Sequence, residues 1–153
     1  MHVLENRLPP PLVAALFGLL MWLVSRYVPG PDMAHSVRLA LVLVVLAVGV
    51  GFSLAGVVSF RQARTTVNPL KPETASALVR TGVYRYSRNP MYVGFAMALL
   101  AWALYLFSPV SLLGVLGFVL YMNRFQIRPE ERALGNVFGG EFETYKAQVR
   151  RWL

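Results

Sequence analysis

The chain has 153 residues, 56% of them apolar and only 14% charged, with a formal net charge of +8. A water-soluble domain of this size seldom has so little polar surface, which points to a bilayer as part of the solvent, the alternative being a soluble bundle with a very apolar core. There is no cysteine, which excludes disulfides, iron–sulfur clusters and thiolate zinc sites; His2 and His35 stand apart from any carboxylate cluster, so no metal is expected.

Apolar stretches at about 8–28, 37–60, 90–107 and 109–127 are expected to form four transmembrane helices of a single domain covering 1–153. The first two reach the roughly 20 residues that cross about 30 Å of hydrocarbon. The first lacks a small-residue cleavage site and reads as a retained helix. In the second, Ala47, Gly51, Ala55 and Ser59 recur every fourth residue with Gly56 nearby, a ladder that lets another backbone approach closely. Gly114 and Gly117 read the same way. The run 91–122 would be ~48 Å long as one helix, too long for one span. Ser108-Pro109 breaks it, predicting a tight hairpin.

Between the second and third helices lies a polar connection, 61–89, with Arg61, Arg64, Lys71, Arg80, Arg85 and Arg88 against the single acid Glu73. Connections this long are uncommon unless functional, and a short helix is expected over 73–79. The tail carries Arg124, Arg128, Arg132, Lys146, Arg150 and Arg151, whereas the turn at 29–32 has no Lys or Arg. The positive-inside rule then places both termini in the cytoplasm, at the inner membrane if the source is bacterial. Anionic lipid head groups account for the basic charge, and no nucleic-acid partner is needed. In the cytoplasmic segment 128–153, Pro129 suits a first helical turn and Gly139-Gly140 a stop. A second helix over 141–152 would carry Phe142, Tyr145, Val149 and Trp152 as an apolar stripe able to lie on the bilayer interface.

Two polar islands flank the predicted hairpin, at 82–94 and 128–139. A hairpin returns the chain to the face it left, so the islands should meet. Asn89-Pro90 suits the start of a helix, where it can simply cap, or can present free N–H groups to a ligand carboxylate. Tyr84, Tyr86 and Tyr92 offer aromatic faces for a cation or an adenine, or form an interfacial belt. Glu130 and Glu131 complement a helix dipole, or supply the one carboxylate that faces a ligand, since adjacent helical residues point about 100° apart. An anion end and a cation end together suit a zwitterion carrying a carboxylate and a sulfonium or ammonium.

Three segments carry a family resemblance: Arg61-x-x-Arg64-Thr65-Thr66-Val67-Asn68-Pro69; Leu78 through Tyr84 to Arg88-Asn89-Pro90-Met91-Tyr92-Val93-Gly94; and Glu130-Glu131-x-x-Leu134-x-x-x-Phe138-Gly139-x-x-Phe142-x-x-Tyr145-x-x-x-Val149-x-Arg151. From about residue 60 onward the chain resembles the isoprenylcysteine carboxyl methyltransferase and phospholipid methyltransferase superfamily; before that it is similar only in hydropathy. The resemblance implies an all-α polytopic membrane enzyme that binds S-adenosylmethionine at the cytoplasmic face, in a pocket covered by short cytoplasmic helices. Carried over by position, cofactor contacts would fall on Ala77, Leu78, Val79, Tyr84, Asn89, Pro90, Met91, Tyr92 and Glu130. From their charge and place beside these residues, Arg88 is added to the cofactor set and Arg128 is taken as catalytic with Glu130; Arg88, Arg124 and Arg128 are candidates for an acceptor phosphate or carboxylate, or anchor to lipid head groups. Two positions depart from the pattern. Asn89 stands where the family usually has His, so a histidine base is absent there. Gln126 stands where the prenylcysteine branch has a substrate-binding Arg, leaving Arg124 or Arg128 to meet an acidic acceptor.

The expected activity is methyl transfer to a lipid head group or other lipophilic acceptor, by in-line displacement in which positioning and electrostatics carry most of the catalysis. A non-catalytic membrane scaffold of the same fold, or a small transporter, are the alternatives. Against the transporter, no ionisable residue lies deep within the four spans.

Overall fold

The computed structural model describes residues 5, 7–28, 30, 33–63 and 76–153. Most of the turn at 29–32, the Arg64–Pro69 motif, Lys71 and residues 73–75 lie outside the described residues. Among those described the fold is helical, with no strand: α1 (Pro10–Ser25), α2 (His35–Gln62), α3 (Pro90–Leu106), α4 (Ser111–Met122), α5 (Arg128–Phe138) and α6 (Gly140–Gln148). A 3-10 turn (Gly82–Arg85) precedes α3, and a π-helical turn (Asn123–Ile127) joins α4 to α5.

α2, at 28 residues, is long and apolar enough to cross a membrane. Only 11% of its most apolar window is buried, the reverse of what the core helix of a soluble protein requires. Leu43, Val44 and Leu54 each expose more than half their surface. α1 and α3 are shorter apolar helices of 16 and 17 residues.

Small residues let the helices touch. A Cβ on Gly94 of α3 would lie 1.9 Å from Ser53 Oγ and 2.7 Å from the carbonyl oxygen of Gly49 on α2. The contact surface of α2 is therefore Gly49, Ser53 and Gly56, one step around from most of the expected ladder: Gly51 faces open space and Ala47 is exposed. Gly114 and Gly117 do serve close packing, against Met21 and Phe17 of α1. Phe17 meets Phe118 edge-on at 6.1 Å, and the Trp102 indole N–H donates to the Gly18 carbonyl at 3.0 Å. Met21, Leu99, Phe118, Met122 and Ile127 form the buried core of this α1–α3–α4 wedge.

The hairpin turns where Ser108-Pro109 predicts. α3 ends with Phe107 in the left-handed region (φ 51°), and the buried Ser108 hydroxyl donates to the Val28 carbonyl at 2.6 Å. Three expectations fail. Residues 76–79 of the expected 73–79 helix are not helical, leading instead into the 3-10 turn. The fourth helix does not end at 127, because 111–138 winds on without a break through the π turn. Pro129 lacks an N–H, and its ring would clash with the carbonyl of Phe125 in a regular helix; the wider turn, with Arg128 N donating to Asn123 O, accommodates it. α6 stops at Gln148, not 152, and Val149 is extended. Its stripe is not free to lie on the bilayer: Phe142 and Tyr145 are buried inside the protein, and Trp152 packs on the core.

Candidate active site

The two polar islands meet. The Asn89 carbonyl accepts the N–H groups of Tyr92 and Val93, both at 3.0 Å, setting Tyr92 in the first turn of α3. The buried Tyr92 hydroxyl donates to Glu130 Oε2 of α5 at 3.0 Å. The π turn directly precedes α5 and so sets the rotation at which Glu130 meets Tyr92; such turns are frequent at functional sites. It also buries Gln126, one turn before Glu130 and within side-chain hydrogen-bonding reach of Tyr92.

Burial pushes the Glu130 carboxyl up to about 7, with repulsion from Glu131 adding to the rise and the Tyr92 bond opposing it. Tyr84, on the 3-10 turn, closes the same side. Its ring is buried edge-on against Phe60 of α2 at 5.3 Å. Burial raises the Tyr84 phenol above its ordinary range, and Glu130 and then Tyr145 raise it further. Tyr145 of α6 donates its hydroxyl to the Tyr84 carbonyl at 2.7 Å, and burial raises its phenol too.

Glu131 points elsewhere, as its neighbour's 100° offset requires. Its carboxylate takes Arg151 through both Nε (3.0 Å) and Nη2 (2.6 Å), and Arg88 Nη2 at 3.1 Å. The Arg88 side chain is only 10% exposed, and its Nε and Nη1 are buried without a hydrogen-bond partner. Burial lowers its proton affinity while Glu131 opposes that change. Two guanidinium groups thus share one carboxylate, with donors left over. A buried unsatisfied donor costs about 1–3 kcal/mol, which a bound oxyanion or water relieves.

The other predicted residues separate. Asn89 does not cap α3 with its side chain; instead Nδ2 donates to the Arg151 carbonyl at 2.9 Å, and its own N–H goes to Ser87 Oγ at 3.1 Å. Pro90 and Met91 pack against Gly56 of α2. Ala77, Leu78 and Val79 form non-helical chain ahead of the 3-10 turn, with Val79 buried. Arg128 is exposed and lines an open cleft of about 550 Å³ between α5 and α6, together with Arg132, Glu143 and Lys146. Two residues from Glu130 is about 200° of helix rotation, so Arg128 lies on the far side from the Tyr92–Glu130 pair. Arg124 pairs with Glu5, as does Arg132. That only one of the two glutamates faces the site agrees with their 100° offset; the arginine partners of Glu131 and the anchoring of Tyr145 have no signal in the sequence. The helical spacing of Phe142 and Tyr145 does mark a buried stripe; it could not say whether lipid or protein covers it.

The model of the family described as phospholipid methyltransferase matches residues 37–141, more than half of the chain and both polar islands. The chain belongs to the phospholipid methyltransferase family. The match reaches into α2, beyond the stretch where sequence motifs alone carry a resemblance. Over 63 residues the chain is 48% identical to an uncharacterized protein of Haemophilus influenzae, an alignment covering 41% of this chain and all of that protein. Over 80 residues the chain is 40% identical to the protein-S-isoprenylcysteine O-methyltransferase of Saccharomyces cerevisiae. That alignment takes in 52% of this chain and 33% of the yeast protein, so the chain spans only part of that relative. No solved structure matches. The family match makes this chain a methyltransferase.

Proposed function

We propose that the protein transfers a methyl group from S-adenosylmethionine to a lipid head group or other lipophilic acceptor at the cytoplasmic membrane face. On this reading α1, α3 and residues 111–127 cross the bilayer beside α2, and both termini face the cytoplasm. The observation that carries the proposal is the Tyr92–Glu130 hydrogen bond, which joins two islands 38 residues apart around a carboxyl whose proton affinity sits near neutrality.

The residues fit the donor. Arg88 has two buried guanidinium nitrogens without partners, suited to its carboxylate. Glu130 supplies negative charge, and Tyr84 and Tyr92 aromatic surface, for its cationic end. When bound, S-adenosylmethionine supplies an electrophilic methyl group on a sulfonium. The chain's own task is then to orient, to exclude water and to manage a proton. Glu130, poised near pH 7, can accept the proton that an amine or thiol acceptor sheds, while the Tyr92 hydroxyl steadies the carboxylate. Hydrocarbon around the exposed apolar helices would deliver the acceptor laterally.

Calorimetric titration of S-adenosylmethionine, which carries the sulfonium charge, into the detergent-purified protein tests the reading. Saturable binding is expected, weakened at least tenfold in Glu130→Ala. No saturable heat in the wild type would sink it. The acceptor is then identified from membrane extract incubated with methyl-labelled donor.

A further inference from the structure

After α6, residues 149–152 run back across both polar islands. The Arg150 carbonyl accepts from the Arg88 N–H at 3.0 Å, and the Arg151 carbonyl accepts from Asn89 Nδ2 at 2.9 Å. The Arg151 guanidinium forks onto Glu131, and the Trp152 indole donates to Asn123 Oδ1 at 3.0 Å in the π turn. This strap therefore holds the chain one turn before Tyr92, the residue next to Glu130, and the start of the turn that aims Glu130. We infer that Arg151 is a positioning residue: through Glu131 and Asn89 it fixes α5 against the start of α3 and sets the charge that Glu130 feels.

The geometry separates this role from that of a simple staple. A staple needs attraction only, and Arg88 alone already gives Glu131 a cation at 3.1 Å. The second, two-pronged contact does something further: it fixes the direction of a carboxylate that is only 14% exposed. That carboxylate is the negative neighbour of Glu130. The groups facing Glu130 are Tyr92 from α3, Tyr84 from the 3-10 turn and Glu131 beside it, with Gln126 of the π turn in reach of Tyr92; Arg88 and Arg151 act from behind Glu131. Removing Arg151 leaves the charge of Glu131 less compensated, which makes Glu130 hold its proton more tightly. Removing the charge of Glu131 does the opposite.

The inference takes its meaning from the methyl-transfer reading, yet its main readout needs no bound donor. Full-length protein in detergent, with carbon-13 in its glutamate carboxyl groups, is titrated by NMR, and Glu130 is assigned by its loss in Glu130→Gln. In Arg151→Met the Glu130 midpoint should rise by about half a pH unit or more, and in Glu131→Gln it should fall. The double variant should return towards the Glu131→Gln value. S-adenosylhomocysteine affinity, measured by calorimetry, should drop about tenfold in Arg151→Met. An unmoved midpoint with a lowered melting temperature would overturn the inference and leave Arg151 a staple. If Arg151→Met does not fold, Arg151→Lys carries the comparison: it keeps the charge but loses the fork, so a midpoint near wild type with weakened affinity supports positioning. Both unchanged overturns it. Should the wild type bind no S-adenosylmethionine, the methyl-transfer reading fails while the titration still decides the role of Arg151.

Discussion

The apolar helices and the polar cap of this protein are held together by opposite means. Between α2 and α3 there is almost nothing but close approach: Gly49, Ser53 and Gly94 leave no room for one more carbon. Around α5, α6 and the strap, cohesion comes from directed contacts such as Tyr92–Glu130, Tyr145–Tyr84 and the two arginines on Glu131. On the proposed membrane topology, apolar side chains gain little by meeting each other instead of acyl chains, so fit decides helix association. In the cap, water competes for every polar group, so contacts that exclude it carry the geometry. The difference teaches where added bulk hurts and where altered charge hurts.

The largest effect is expected in the first region. In Gly94→Ala the new methyl group would meet the Gly49 carbonyl oxygen at 2.7 Å, and that backbone cannot rotate away as a side chain could. Separating α2 from α3 should cost about 3 kcal/mol or more. A melting series in detergent should show a large drop, or no folded protein. Gly51→Ala, facing open space on the same helix, should change little. If the two variants behave alike, close packing is not what joins these helices.

An intermediate effect is expected in the cap, and its sign separates charge from bulk. The Glu130 carboxyl titrates near 4.5 when free and at about 7 when folded. The folded state therefore holds this proton more tightly, and folding stability must fall as pH rises through that window. The contribution of one such group cannot exceed about 1.4 kcal/mol per pH unit. Chemical unfolding between pH 4.5 and 7.5 should show this slope in the wild type, and Glu130→Gln should flatten it. A steeper slope in the variant would contradict the burial of this carboxyl.

The same division governs what was legible in the sequence. Helix-forming apolar runs, the break at Ser108-Pro109 and the use of Gly114 and Gly117 follow from composition and local sterics, which act over a few residues. The meeting of 82–94 with 128–139 follows from the hairpin. What was not legible depends on rotation and on what covers a face. Pro129 signals a helix start just as well as a widened turn inside a continuous helix. Asn89 reads as a cap because capping is local, whereas its partner is a carbonyl 62 residues away. Ala47 and Gly51 fit the ladder as well as Gly49 and Gly56 do, and only the position of α3 selects between them.

The smallest effect marks the boundary of the cap. Arg80 and Glu141 form an ion pair at 3.0 Å that resembles the contacts of Glu131 in distance and charge. Their side chains are 48% and 49% exposed, against 10% and 14% for Arg88 and Glu131. Water solvates both partners of the outer pair and screens their attraction, while holding two long side chains in one geometry costs entropy. Arg80→Ala should therefore shift stability by about 0.5 kcal/mol or less and leave S-adenosylhomocysteine affinity unchanged. Arg88→Ala, at the same charge and nearly the same distance, strips a cation from a buried carboxylate and should weaken both. Equal effects from the two arginines would mean that burial does not set the worth of an ion pair in this cap, and that distance alone does.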